Sequence, residues 1–267
     1  MLPTPIAQQI QDSIRAFLQQ MFPCTTEYFR GMVDRLTWEE NNGLFRGPWY
    51  ELRLPFESVG AETPLPFRVL NFPFKPHKHQ AEAFARLCGD EPKSTLVTTG
   101  TGSGKTECFM FPVLDYCARK RLEGQKGIKA IFLYPMNALA TDQARRLARA
   151  VAQDAALAGV RVGMYVGGAT GEPAITMGPE QVITSRDEMR KNPPDILMTN
   201  YKMLDYLLLR ADDRKLWQHN KEKGVLRYLV VDELHTFDGA QATDLACLIR
   251  RVKNRVPSNL DSSLCFI

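Results

Sequence analysis

The spacing of apolar positions along the chain changes near residue 79. Before that point, Ile6, Ile10, Ile14, Phe17, Leu18 and Met21 recur at helical spacing and predict an amphipathic helix that stops before Pro23. Tyr50, Leu52, Leu54 and Phe56 alternate with Glu51 and Arg53, which predicts a half-buried strand bounded by Pro48 and Pro55. Over 63–76, prolines alternate with Leu65, Phe67, Leu70, Phe72 and Phe74. So apolar a stretch does not stay solvated, and an ordered, extended connector is expected. From His79 onward, short apolar runs alternate with longer helical patterns. Strands are expected at 94–98, 130–134, 160–166, 195–199, 228–231 and 263–267, with helices over 138–158, 201–210 and 241–255. In the last helix Leu245, Leu248, Ile249 and Val252 make a core-facing stripe. This alternation predicts an α/β fold on a parallel sheet, with residues 1–73 as an N-terminal accessory segment and 74–267 as the main domain.

Composition narrows the class without choosing a function. With 267 residues, 44% hydrophobic and 24% charged, the chain can bury a sizeable core. The net charge of +4 permits a nucleic-acid partner without demanding one. Local basic density at Arg119, Lys120, Arg121, Lys126 and Lys129, and at Arg250, Arg251, Lys253 and Arg255, fits either solvated helix ends or phosphate contact. The six cysteines contain no CxxC pair and read as reduced residues of an intracellular, cytoplasmic protein. No apolar run approaches the length of a membrane span, and the N-terminus lacks the basic and apolar regions of a secretion signal. His77 and His79 have no cysteine or further histidine near them in sequence to complete a metal site.

Candidate chemistry begins at Thr98-Thr99-Gly100-Thr101-Gly102-Ser103-Gly104-Lys105-Thr106-Glu107, which lies between an apolar run and an amphipathic run. It reads as the turn from a strand into a helix. Glycines at 100, 102 and 104 let successive N–H groups point at phosphate oxygens, and the helix that follows adds its positive N-terminal dipole. In such a loop Lys105 reaches the β and γ phosphates and the Thr106 hydroxyl ligates Mg²⁺. The pattern GxxxxGK followed by Ser or Thr wants glycine at position 99, where this chain has Thr99. Downstream, Tyr228-Leu229-Val230-Val231 delivers Asp232 and Glu233 to the C-terminal end of a strand, where open α/β sheets bind ligands. Asp232 is placed to hold Mg²⁺ and Glu233 to orient and deprotonate the attacking water.

The loop TGTGSGKTE followed by DELH resembles the superfamily 2 helicases of the DExH type. Further segments appear in the order that family shows. Phe74 to Gln80 looks like the upstream glutamine motif, in which Gln80 would pair with adenine and select ATP. Tyr134-Pro135-Met136-Asn137-Ala138-Leu139-Ala140 resembles the motif that touches the nucleic-acid backbone. Gly167-Gly168 matches a glycine pair that lets amides approach the same strand, and Thr199-Asn200-Tyr201 resembles a motif in which a threonine hydroxyl grips a phosphate. The resemblance covers roughly 74–267 and implies the first RecA-like lobe of a helicase, a three-layer parallel sheet that binds ATP and Mg²⁺. Thr99, Gly100, Thr101, Gly102, Ser103, Gly104, Lys105, Thr106 and Glu107 would cradle the nucleotide. His235 would link the γ phosphate to a later motif. Phosphate contacts through Pro135, Asn137, Gly167, Gly168, Thr199 and Asn200 suit a motor that steps along any sequence, with DNA the expected partner. The wording of the motifs looks nearest to bacterial RecQ-related helicases, some of which serve in DNA repair or anti-phage defence.

The resemblance also implies a second motor lobe carrying arginine fingers, absent after Ile267, so that the chain is expected to be a poorly active fragment. Two other classes compete. A small P-loop phosphotransferase would need an arginine-rich lid after the Asp-Glu strand, and a docking module with a vestigial ATP fold would have no use for Glu233.

Overall fold

In this computed structural model, each strand at the centre of the sheet divides its side chains between two apolar layers. Along β1 (Ala130–Leu133), Ala130 and Phe132 point into one buried cluster while Ile131 and Leu133 point into the other. A strand buried on both faces reads as a continuous apolar run, and Ala-Ile-Phe-Leu is one. The structure describes residues 3–23, 25–38, 55–60, 63–100, 102–167, 172–222, 224–256 and 264–267. Most of the strand expected over 50–56 lies outside them.

Cα packing separates the chain into two units, Met1–Pro55 and Phe56–Ile267. In the first, α1 (Pro3–Met21) ends ahead of Pro23 and is joined to α2 (Met32–Trp38) through Asp34, which accepts from Arg15 Nε at 2.7 Å and Gln19 Nε2 at 3.2 Å. The expected division after residue 73 falls inside the second unit.

That unit runs α3 (Lys78–Leu87), α4 (Lys105–Leu122), β1, α5 (Asn137–Gln153), β2 (Val162–Tyr165), α6 (Arg186–Lys191), β3 (Ile196–Thr199), α7 (Tyr201–Leu209), β4 (Tyr228–Val231), α8 (Gly239–Arg255) and β5 (Cys265–Phe266). The strands pair in parallel in the order β2-β3-β1-β4-β5. The layer on one face joins Leu87 of α3, Leu114 of α4 and Leu147 of α5; the other joins Leu204 of α7 and Leu248 and Val252 of α8. This is the expected three-layer parallel sheet. Order reverses between β1 and β4, so the crevice at the C-terminal ends of those two strands is the place where such sheets bind ligands.

Two features differ from expectation. The run over 94–98 is extended but builds no ladder of its own: Thr95 N–H donates to Phe266 C=O at 2.9 Å, Ser94 Oγ accepts from Phe266 N–H, and β5 offers a partner only two residues long. The helix α3 was hidden behind Pro73 and Pro76 in the sequence and starts immediately after them. The connector before it is ordered as expected. Asp115 of α4 is buried and accepts from the backbone N–H groups of Arg68, Val69 and Leu70 at 3.0, 2.8 and 2.9 Å. Phe67 and Phe72 then pack on Phe84 with ring centroids 4.9 and 5.1 Å apart, and Phe72 packs on Phe111 at 4.7 Å.

Candidate nucleotide and nucleic-acid site

The glycine-rich loop takes the backbone shape its sequence requires. Gly102 and Gly104 both sit at φ +77°, in the left-handed region that costs other residues roughly 1–2 kcal/mol. A Cβ at Gly104 would also displace the Gln80 carboxamide from its place against the loop. Gln80, at the start of α3, donates from Nε2 to Gly104 C=O at 3.2 Å while its Oε1 accepts from His77 N–H at 2.9 Å. His79 Nε2 lies 2.9 Å from Ser103 C=O. The loop is thus held from outside by two side chains of one helix. Thr99 and Ser103 share a hydrogen bond of 2.6 Å between their hydroxyls, so threonine at the first loop position closes the loop where the general pattern has glycine. Gly100 C=O accepts weakly from Ser103 N–H at 3.4 Å. Thr101 lies outside the described residues.

Lys105 opens α4 and, with Thr98, Phe109, Asp232, Glu233 and His235, lines a cleft of about 410 Å³. Burial pushes the Asp232 carboxyl above the ordinary carboxylate range; the Glu233 N–H and the charges of Lys105 and Arg146 oppose that push without cancelling it. An under-compensated carboxylate beside a phosphate loop is chemically suited to a cation. The surroundings agree. The buried Tyr134 hydroxyl has no hydrogen-bond partner, nor does the buried Oε2 of Glu107. The Asp232 carboxylate and the Thr106 hydroxyl, the latter 3.5 Å from Arg146 Nη1, are oxygen donors of the kind that Mg²⁺ takes.

Glu233 is the single described non-glycine residue at positive φ, +50°, two residues past the end of β4. Its Oε2 lies 3.3 Å from Nδ1 of His235, which is otherwise exposed.

A second polar edge connects the ends of β1, β2 and β3. Asn137 Nδ2 donates to Gly167 C=O at 3.0 Å, Asn200 Nδ2 donates to Asn137 Oδ1 at 2.9 Å, and Asn200 Oδ1 accepts from Met203 N–H at 2.8 Å, capping α7. With Pro135 these residues line a cleft of about 420 Å³. Three candidate contact residues from separate motifs therefore form one network. Thr199 is fully buried, and its hydroxyl donates to Tyr165 C=O at 2.6 Å, stitching β3 to β2. Gly168 lies outside the described residues.

Sequence reasoning missed His79, Tyr134 and Arg146. Arg146 ion-pairs with Glu107 and donates to Gln143 Oε1 at 3.3 Å. Its signal was the polar Gln143, buried one turn before it on the core side of an amphipathic helix.

A glycine loop at positive φ, a lysine at a helix start and an Asp-Glu pair at the switch point of a parallel sheet define a P-loop nucleoside triphosphatase lobe. A family model described as DEAD/DEAH box helicase matches residues 77–266, and the chain belongs to that family. It forms the ATP-binding motor lobe, with the RecA-like sheet. The chain is 26% identical over 313 aligned positions to the Druantia protein DruE of Escherichia coli (strain UMEA 4076-1), covering 82% of this chain and 17% of that one. It is 30% identical over 163 positions to the Lhr helicase/probable uracil glycosylase of Mycolicibacterium smegmatis, covering 60% and 10% respectively. The solved DUF1998 helicase MrfA bound to DNA and AMPPNP matches with a TM-score of 0.55 and 30% identity over 72% of this chain and 23% of that one. The chain thus spans about a fifth or less of the first two relatives' length. These relatives carry DruE, Lhr and MrfA names, so the expected RecQ-related affinity gives way to these types. The family match also sets aside the phosphotransferase alternative. Among the described residues no helix is long and apolar enough to cross a membrane.

Proposed function

We propose that this chain is the first motor lobe of a DNA helicase or translocase that spends Mg²⁺·ATP to move along a phosphate backbone. The observation that carries the reading is the single cleft lined by Lys105 of the glycine loop and by Asp232 and Glu233 at the switch point of the sheet. Mg²⁺ would neutralise phosphate charge there. Thr106 and Asp232 would hold it, Lys105 would bind the β and γ phosphates, and Glu233 would take the proton of the attacking water. His235, within reach of Glu233, would report the γ phosphate. Gln80 would read adenine from its place against Gly104. Pro135, Asn137, Gly167, Gly168 and Asn200 would meet nucleic-acid phosphates.

DNA is favoured over RNA because MrfA, at 30% identity, is a relative solved with DNA. Turnover would need arginines from a second RecA-like lobe, without which a loss on the order of 10³-fold is expected. A cytoplasmic role in DNA repair or phage defence belongs to the same reading. Calorimetric titration with Mg²⁺·ADP tests it: the chain binds, and Lys105→Ala binds far more weakly. Equal heats for the two proteins would sink the assignment of the loop.

A further inference from the structure

The loop and the Asp-Glu pair account for the groups that touch nucleotide and cation, yet a third element reaches the same place. Arg146 lies on the third turn of α5, a helix whose first residue is Asn137 of the nucleic-acid edge. At 1.5 Å per residue the two are about 14 Å apart along one rigid helix. The guanidinium of Arg146 has three partners. Nη2 is ion-paired with Glu107, while Nη1 donates to Gln143 Oε1 at 3.3 Å and to Thr106 Oγ1 at 3.5 Å. Its charge is felt by Asp232 and by Tyr134. Arg146 therefore contacts one of the two side chains expected to hold Mg²⁺, Thr106 of the loop helix, and its charge reaches the other, Asp232, just past the end of β4.

A free cation in that position would compete with Mg²⁺. Two features argue that Arg146 does not. Its charge is matched by Glu107, whose side chain is only 16% exposed, so the pair is nearly neutral as seen from the cleft. A threonine hydroxyl also has two lone pairs, and a guanidinium on one leaves the other for a metal. The contact then fixes which way the Thr106 oxygen faces.

We infer that Arg146, neutralised by Glu107, is a positioning residue that holds the Thr106 hydroxyl for the divalent cation and ties the cation site to α5. The inference rests on the reading of Thr106 and Asp232 as the cation's ligands. Partners that orient metal ligands typically cost 10–100-fold in metal affinity when removed.

The test is calorimetry on the 267-residue chain with ADP, once with Mg²⁺ and once with EDTA. Arg146→Ala is expected to weaken Mg²⁺·ADP by about tenfold and to leave ADP in EDTA unchanged, which also shows that the variant is folded. Arg146→Lys keeps the charge without the fork and recovers only part of the loss. Glu107→Gln leaves the guanidinium charge unmatched and also weakens Mg²⁺·ADP. Adding Arg146→Gln to Glu107→Gln restores neutrality and reverses part of that loss. A rise in Mg²⁺·ADP affinity in Arg146→Ala would mean that arginine competes with the cation. An unchanged affinity would mean that the pair only braces α5 against α4. Either overturns the inference while leaving the loop assignment intact, because that assignment fails only if Lys105→Ala binds as the parent does.

Discussion

The two ends of the parallel sheet handle buried charge in opposite ways. At the N-terminal ends of β1 and β3, Lys129 and Asp195 are both almost fully buried and fully matched. Asp195 Oδ1 accepts from Lys129 Nζ at 2.7 Å, and Oδ2 accepts from Arg121 Nη1 at 3.0 Å and Arg161 N–H at 2.8 Å. Lys129 Nζ also donates to Gly127 C=O at 3.2 Å. At the C-terminal ends, Asp232 is under-compensated, the hydroxyl of Tyr134 and one oxygen of Glu107 have no partner, and Glu233 sits at positive φ. At one end Lys129 and Asp195 are bonded to each other and to their neighbours, with Arg161 Nε left without a partner; at the other the unpartnered groups gather around a crevice. Open polar groups at a crevice destabilise the free protein and suit it to a polar ligand.

The contrast can be broken most forcefully at the matched end. Asp195→Ala strips the buried Lys129 of its carboxylate and is expected to cost about 3–5 kcal/mol in chemical denaturation, with Mg²⁺·ADP affinity of the folded fraction unaltered. A loss below about 1 kcal/mol would show that Gly127 C=O and water satisfy Lys129, and would remove half of the contrast.

At the open end substitutions should act in the other direction. Tyr134→Phe deletes an unpartnered buried hydroxyl and is expected to raise the stability of the nucleotide-free chain by about 1–2 kcal/mol, read as a higher denaturation midpoint. Asp232→Asn has the smallest expected effect, a rise in melting temperature of roughly 2–4 °C at pH 7, the shift that about 1 kcal/mol makes in a chain of this size. Because burial raises the carboxyl's titration in the fold above its unfolded value, ionised Asp232 opposes folding at neutral pH. The advantage of Asn should therefore vanish below the ordinary carboxylate range and be complete above the raised folded value. A melting profile in which the gap between variant and parent does not change with pH would contradict the assigned cause. Mg²⁺·ADP should stabilise the parent and not Asp232→Asn.

Legibility varied with the range of the interaction. The strand 228–231 and the helix 241–255 were readable because both carry a clean period and are followed by a change of composition. Strand 94–98 was readable as an apolar run, but whether it joins a ladder depends on β5, more than 160 residues later by the pairing of Thr95 with Phe266. The short α6 escaped notice because Arg186–Lys191 is nearly all polar, with Met189 its one buried residue. At the site, Lys105, Asp232 and Glu233 were singled out by chemistry local to a turn, and the fold brings them to one cleft. A local motif does not foretell a long-range bond: the carbonyl of Tyr165 takes the Thr199 hydroxyl.

By itself the sequence determined the order of strands β1 to β5, the glycine loop that only positive φ can satisfy, and the carboxylate pair at a strand end. These follow from properties carried within a few residues: period, turn chemistry and side-chain type. Only the tertiary structure decided that Gln80 and His79 hold the loop, that Asn137, Gly167 and Asn200 make one edge, and that Arg146 stands beside Thr106. Each of those pairs is brought together by packing helices on a shared sheet, and a contact between residues far apart along the chain has no period to betray it.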